Sequence, residues 1–386
     1  MTLRSRIRSS VLGRVLTAAA LLVLLTAGCE RRPLESMERI TVRTIVKCVW
    51  KVVTQTEVQF EKPTGVTLYF FRDGIFYNSF TTAEVDSCEV QLEKGHYKMY
   101  MISQSPEEFW RMEFRNMTSF DNAMLNLRET DVSWTRGLPE ATVENPEILY
   151  IGVADEFEIT EEMTEDYQYY YSNLRRIRAN KAKAIAAGQT KADTEDPEEA
   201  YYAEQVRYHT IKIPVYPHNV VSQLWITIYS GNADVLKSVR ASTSGMARTY
   251  ELTQDVTGTE TATQVMSSWK LTMDDPERRV GHIDGLITTL GLPNGETPGP
   301  QRDSTLNVSA LLVDNATIAN YKFEVGDKIQ LLKPNPGFRN LYRLIFGSVE
   351  EPSITPPDVQ PEGGTASGMD ATVSEWEEGE TVDVPM

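Results

Sequence analysis

The chain has 386 residues, 41% of them hydrophobic and 24% charged, with a formal net charge of −17 at pH 7. So acidic a field opposes binding to phosphate backbones, which argues against a nucleic-acid partner, and the length suits two domains of ordinary size. After Leu25 no apolar run is long enough to cross a bilayer as a helix, so a tethered soluble protein is expected rather than a channel.

The first residues form a targeting pattern. Arg4, Arg6, Arg8 and Arg14 precede the apolar run Val15 to Leu25, and Thr26, Ala27 and Gly28 then supply the small side chains a signal peptidase admits. Cleavage between Gly28 and Cys29 is expected, making residues 1–28 a lipoprotein signal peptide and Cys29 the lipid-bearing residue. Leu25 stands four residues ahead of the cysteine, one further than the usual lipobox leucine. The run is shorter than the roughly 20 apolar residues of a membrane span, and Glu30-Arg31-Arg32-Pro33 ends it. Several acyl chains on Cys29 exceed the two signals needed for stable attachment. Removing the signal takes away four arginines and no acid, moving the charge from −17 to −21.

Residues 29–37 are polar and include Pro33, as a short tether requires. From Arg39 the pattern turns to period two. Ile40, Val42, Thr44, Val46, Cys48, Trp50 and Val52 alternate with mostly basic or hydroxyl neighbours, which predicts a half-buried strand. Val66–Phe71 and Ile75–Tyr77 flank Arg72-Asp73-Gly74, and an Asp-Gly pair between such runs predicts a tight hairpin. A second hairpin is expected where Cys88, Val90 and Leu92 lead through Lys94-Gly95 into Tyr97, Met99 and Met101. Residues 104–146 are irregular, and Glu147–Val153 reads as a closing strand. These elements predict an antiparallel β domain over residues 38–154.

Residues 155–207 break the pattern with three charge blocks: acidic from Asp155 to Asp166, basic from Arg175 to Lys191, acidic from Asp193 to Glu204. The alanines, lysines and arginines of the middle block favour helix, so a solvated helical or disordered insert is expected. A second use for Arg175, Arg176, Arg178, Lys181 and Lys183 is contact with anionic lipid or an acidic partner. Strand character returns with Ile211, Ile213 and Val215, where Pro214 predicts an edge position. It continues at Leu224–Tyr229, Val265–Met273, Thr305–Val313, Tyr321–Val325 and Ile329–Leu331, separated by loops such as Gly291–Gly299. An extended tail, Glu351–Gly368, is followed by a terminal strand within Val373–Val384. Residues 208–386 thus predict a second β domain.

Chemistry is sparse along this pattern. His96, His209, His218 and His282 lack metal-ligand spacing, so no metal is expected. The adjacent carboxylates Asp274-Asp275 and Glu161-Glu162 read as solvated charge. Ser244-Gly245 follows Thr243 and lacks the nucleophile-elbow pattern, and no phosphate-binding glycine loop is present. No catalytic residue and no cofactor are expected. Cys48 and Cys88 fall on the apolar sides of predicted strands, where two arrangements fit: a disulfide closing a loop of about 41 residues, worth roughly 4 kcal/mol, or two buried thiols. Trp110, Trp134, Trp225, Trp269 and Trp376, with Tyr167 to Tyr171, are read chiefly as core and alternatively as platforms for sugar rings.

Cys29, the strand from Ile40, the Gly65–Gly74 hairpin, Leu92–Tyr97, Ser244–Ala247 and the segment Trp376–Pro385 together resemble fimbrillin-like (Mfa-like, FimB-like) lipoproteins of the Bacteroides type. The likeness covers roughly residues 29–154 and 208–386. It implies an all-β protein of two tandem transthyretin-like antiparallel β-sandwich domains with a charged helical insert. It also implies an outer-membrane, surface-exposed lipoprotein whose partners are fimbrial subunits, joined by donated β-strands. Two fates follow: a subunit that keeps its lipid and anchors the fimbrium, or a precursor whose N-terminal strand is cut away at a residue such as Arg39 or Arg43. Within Val373–Val384 lies the strand expected to contact the next subunit. A rival reading is a glycan-binding surface lipoprotein with a host or glycan ligand.

Overall fold

The computed structural model describes residues 40–50, 62–132, 140–189, 195–296, 304–332, 337–362 and 380–383. Gly28, Cys29, Trp134 and Trp376 lie outside them. The described residues are all-β, in five sheets crossed by one helical hairpin.

A three-stranded sheet has β1 (Thr41–Cys48) at its centre, between β10 (Ile211–Val215) and β4 (Ser87–Glu93). Facing it is a five-stranded sheet in the order β11 (His218–Asn219), β9 (Tyr150–Ile159), β5 (Gly95–Ser103), β2 (Val66–Arg72) and β3 (Ile75–Thr82). Period two does the work here. Val42 and Val46 of β1, Val90 and Leu92 of β4, and Leu68, Phe70, Met99 and Met101 of the opposite sheet all turn into one core. The Asp73-Gly74 turn is a tight hairpin with both residues at positive φ, 53° and 79°, as expected from its sequence.

Lys94-Gly95 behaves differently from its prediction. It is a corner, not a hairpin: β4 pairs with β1, while β5 pairs with β2 and β9. Leu92 and Tyr97 must both reach the core from opposite walls, which a single linking residue achieves only by crossing between sheets. The strands' limits also differ from the expected segments. β9 runs on through Asp155 to Ile159, because its ladder with β5 extends to Gly95. Ile211–Val215, expected to open the second β domain, instead pairs in parallel with β1, from Thr44↔Ile211 to Cys48↔Val215. Pro214 lies on an edge strand, where its missing N–H costs nothing.

Between β9 and β10 stand α1 (Glu161–Ala186) and α2 (Pro197–Tyr208). Thr160 caps the first, accepting from Met163 N–H at 3.2 Å, and Asp196 caps the second, accepting from Glu198 N–H at 3.0 Å. The hairpin is docked rather than solvated all round. Tyr167, Leu174, Ile177 and Val206 are buried, and Tyr167, Leu174 and Val206 join the core of the three- and five-stranded sheets. Its opposite charges meet each other: Glu199 of α2 takes Arg178 and Lys181 of α1, each at 3.0 Å.

The remaining strands form a second sandwich. One wall is β17 (Trp269–Asp275), β18 (Val280–Thr289), β12 (Ser222–Ser230), β22 (Leu341–Phe346) and β21 (Gln330–Leu332). The other is β23 (Glu380–Asp383), β20 (Thr317–Glu324), β19 (Thr305–Leu312), β13 (Leu236–Ala247), β16 (Thr261–Met266) and β8 (Thr142–Val143). The expected single strand Val265–Met273 is divided between the two walls. Leu224, Ile226, Ile228, Val308, Leu312 and Tyr342 meet between the walls. A four-stranded sheet, β15 (Val256–Thr257), β14 (Thr249–Glu251), β7 (Met124–Leu127) and β6 (Met112–Arg115), packs on a third core around Tyr100, Phe120, Leu125 and Tyr250.

Candidate functional site

Among the described residues the first sandwich is open along one side. β3 and β4 are each the last strand of their sheet, and a groove of about 320 Å³ lies between them, floored by Phe70, Phe80, Val90 and Leu92 and rimmed by Asn78 and Glu89. β3 is unusually apolar for an exposed strand: Ile75 is 68% and Phe80 40% exposed. Among the described residues its outer edge is met by backbone only at the start, through the Ile75↔Ser119 bridge and the Phe76 N–H to Thr118 O bond of 2.9 Å. A long apolar edge of this kind is a template for another strand. At the other end of the chain an edge is already covered. β23 pairs in parallel with β20, from Thr317↔Glu380 to Asn320↔Asp383. Part of the expected terminal strand therefore pairs within its own chain; Val373 to Gly379 lie outside the described residues.

Cys48 and Cys88 are both buried thiols in the first core. Each lies within hydrogen-bonding reach of the other, and Cys88 Sγ also donates to Glu84 O at 3.0 Å. That mutual bond, then burial, pushes the Cys48 thiol well above its usual range.

The histidines are scattered. His96 faces Glu158 at 3.6 Å and His209 faces Asp166 at 3.9 Å, while among the described residues no group of three His, Cys, Asp or Glu could hold a metal. His218 joins a cluster that its sequence neighbourhood does not announce. Asp255, held at φ +56°, accepts from His218 Nε2 at 2.7 Å, Tyr250 Oη at 2.5 Å and Arg339 Nη1 at 3.1 Å. Burial alone would raise its pKa, but these donors and the guanidinium charge hold it down to about 2.

A second network lies on the solvent face of the sheet β17-β18-β12-β22-β21. Asp284 accepts from Thr227 Oγ1 at 2.6 Å and Trp225 Nε1 at 3.2 Å, and its other oxygen lies 3.3 Å from His282 Nε2. His282 Nδ1 in turn meets Asp274 at 2.7 Å. Asp274 thus orients a histidine, while its neighbour Asp275 accepts from the Arg278 N–H. Glu161 pairs with Lys94 at 3.0 Å. Ser244 and Gly245 form part of a β-bulge in β13, with Gly245 at φ +74° and Ser244 Oγ accepting from Thr305 N–H at 2.9 Å. The tryptophans divide as well: Trp50 is buried, Trp269 packs against the second core, and Trp110 and Trp225 are 84% and 42% exposed. Sequence reasoning named His218, His282 and Trp225 but missed Asp255, Arg339 and Asp284, whose roles come from the meeting of segments far apart in the chain.

No curated protein matches the chain in sequence. Among solved structures it is similar to a candidate adhesin of Bacteroides ovatus, at 15% identity and a TM-score of 0.50, covering 86% of this chain and 99% of that one. A candidate polysaccharide-binding protein of Bacteroides thetaiotaomicron follows at 10% identity and TM-score 0.44, covering 80% and 92%. The fimbrial anchor protein Mfa2 of Porphyromonas gingivalis matches at 11% and 0.40, covering 79% and 90%. At a TM-score of 0.50 the Bacteroides ovatus protein shares the fold of this chain. Residues 28–267, more than half of the chain, match the family described as a domain of unknown function, DUF5119, and the chain belongs to that family.

Proposed function

We propose that the chain is a non-catalytic cell-surface lipoprotein that anchors or extends a fimbrium through β-strand contacts, tethered to the outer membrane by lipid on Cys29. The observation that carries this reading is the open side of the first sandwich. An apolar groove bounded by two strand edges that are largely open among the described residues suits an incoming extended segment, whose backbone would continue either sheet and whose alternate side chains would fill the space above Phe70 and Leu92. The tether is supported by the signal pattern and by a family match that opens at Gly28, beside the cysteine. The Bacteroides ovatus protein of the same fold is described as a candidate adhesin, which agrees with a surface role.

The test is electron microscopy of fimbriae, with cell-bound and shed fimbrial protein quantified, in cells carrying Cys29→Ala or Phe80→Asp. Phe80 is 40% exposed and belongs to none of the three cores, so a carboxylate there leaves them intact while placing charge in the groove. Shedding in the first variant and loss of subunit attachment in the second are expected. Fimbriae of normal length and attachment in both would overturn the reading.

A further inference from the structure

The face bearing Trp225 combines features that the fibre reading leaves unused. β12, β18 and β22 are neighbours, and their outward side chains form rows set by register: Arg343, Trp225 and Leu286 in one, Ile345, Thr227 and Asp284 in the next. Trp225 is fixed by its Nε1 bond to Asp284, and the Arg343 guanidinium lies 5.9 Å from its ring centroid. Leu286, at 54% exposure, extends the apolar surface beside it. The carboxylates of the network are engaged, Asp284 by Thr227, Trp225 and His282, and Asp274 by His282. Arg343 is not. It has no carboxylate partner among the described residues; its Nε is buried, which leaves the two terminal nitrogens as the donors open to an incoming group.

We propose that this face binds an acidic glycan, with a sugar ring stacked on Trp225 and the sugar carboxylate taken by Arg343. An indole offers a flat apolar face to the C–H side of a pyranose while its N–H stays satisfied. The two terminal nitrogens of a guanidinium match the planar carboxylate of a uronic or sialic acid and form charge-assisted bonds with it. The side chains stand on three adjacent strands of a five-stranded sheet, so their spacing is set before any ligand arrives. In a chain of net charge −17 the selectivity for an acid is local, and binding weakens as salt screens the Arg343 contact.

The test is titration calorimetry of the full chain with oligogalacturonate and sialyllactose, against methyl-esterified oligogalacturonate and lactose. At least one acidic glycan is expected to bind while its neutral counterpart does not. Arg343→Gln should weaken that binding about tenfold or more and remove the preference for acid, with the thermal melt unchanged. Trp225→Ala should weaken it by a similar factor, and Trp225→Phe, which keeps a ring and the fold, by less. Equal binding of acidic and neutral forms overturns the proposal. So does binding by neither acid, or wild-type affinity in Arg343→Gln. A dimer that dissociates in Trp225→Ala, with no glycan bound, would assign the face to a second copy and overturn it equally.

Discussion

Asp255 shows how much can rest on one carboxylate whose neighbours are far apart in sequence. Its three donors come from residues 218, 250 and 339, so the cluster ties together β11, β14 and the segment before β22. The folded-state pKa of about 2 lies below the ordinary value of 3.8, so the stabilisation is complete above about pH 4 and is lost as the pH falls toward 2. Asp255→Asn should therefore lower the melting temperature at neutral pH, by the equivalent of about 1–2 kcal/mol given its partial exposure, and flatten the acid limb between pH 4 and 2. Melts over a pH series check both. At the same scale, Cys48 and Cys88 already lie side by side in the first core. If the chain is exported as proposed, the two thiols are placed to oxidise to a disulfide; in the denatured chain they are then expected to resist alkylation until reduced, and Cys48→Ser with Cys88→Ser should cost up to about 4 kcal/mol. Full alkylation without reductant would show that they stay thiols. Strand alternation placed both cysteines on apolar faces and left open whether they pair. The Asp255 cluster was not legible in the sequence, because a lone aspartate in Thr253-Gln254-Asp255 carries no sign of partners 37 and 84 residues away.

Elements were readable where their periodicity was strong. β1, β2, β12, β19 and β20 follow alternating or continuous apolar runs, and the Asp73-Gly74 hairpin follows its turn chemistry. β13 escaped notice because its apolar residues Leu236, Val239, Ala241 and Met246 are spaced among serine, threonine, lysine and arginine, which leaves no continuous apolar or period-two signature. Its bulge at Ser244-Gly245 needs the positive φ of glycine, and a Cβ on Gly245 would come within 3.0 Å of Ser304 Oγ. The charged insert was read as solvated because its charges dominate. What docks it are a few residues at helical spacing, Tyr167, Leu174 and Ile177. Leu174→Ala is expected to cost about 2–4 kcal/mol and to raise amide exchange in α1 and α2 well before it does so in β2 or β5. Uniform acceleration across the chain would mean the hairpin unfolds only with the sheets.

At the scale of the whole molecule the sheets differ in how their edges end. The β3 and β4 edges flank an open groove, whereas β20 is covered by the chain's own β23. Neither fact was visible from composition, since an edge is defined by what fails to pair with it. The apolar stretch within Val373–Val384 marked a strand expected to contact the next subunit, whereas its described part pairs with β20 of its own chain. β23 spans four residues, and net backbone bonds of about 1 kcal/mol each are largely offset by the entropy of ordering the chain end. Truncation before Glu380 should therefore lower the melting temperature little. Its larger effect follows from leaving β20 as an unprotected edge, ready to pair with a neighbour. The truncated chain is expected to show a concentration-dependent rise in mass by light scattering that the full chain does not, and an added peptide of residues 376–386 should reverse it by reoccupying β20. A truncated chain whose mass matches that of the full chain at every concentration would mean that β23 does not guard this edge.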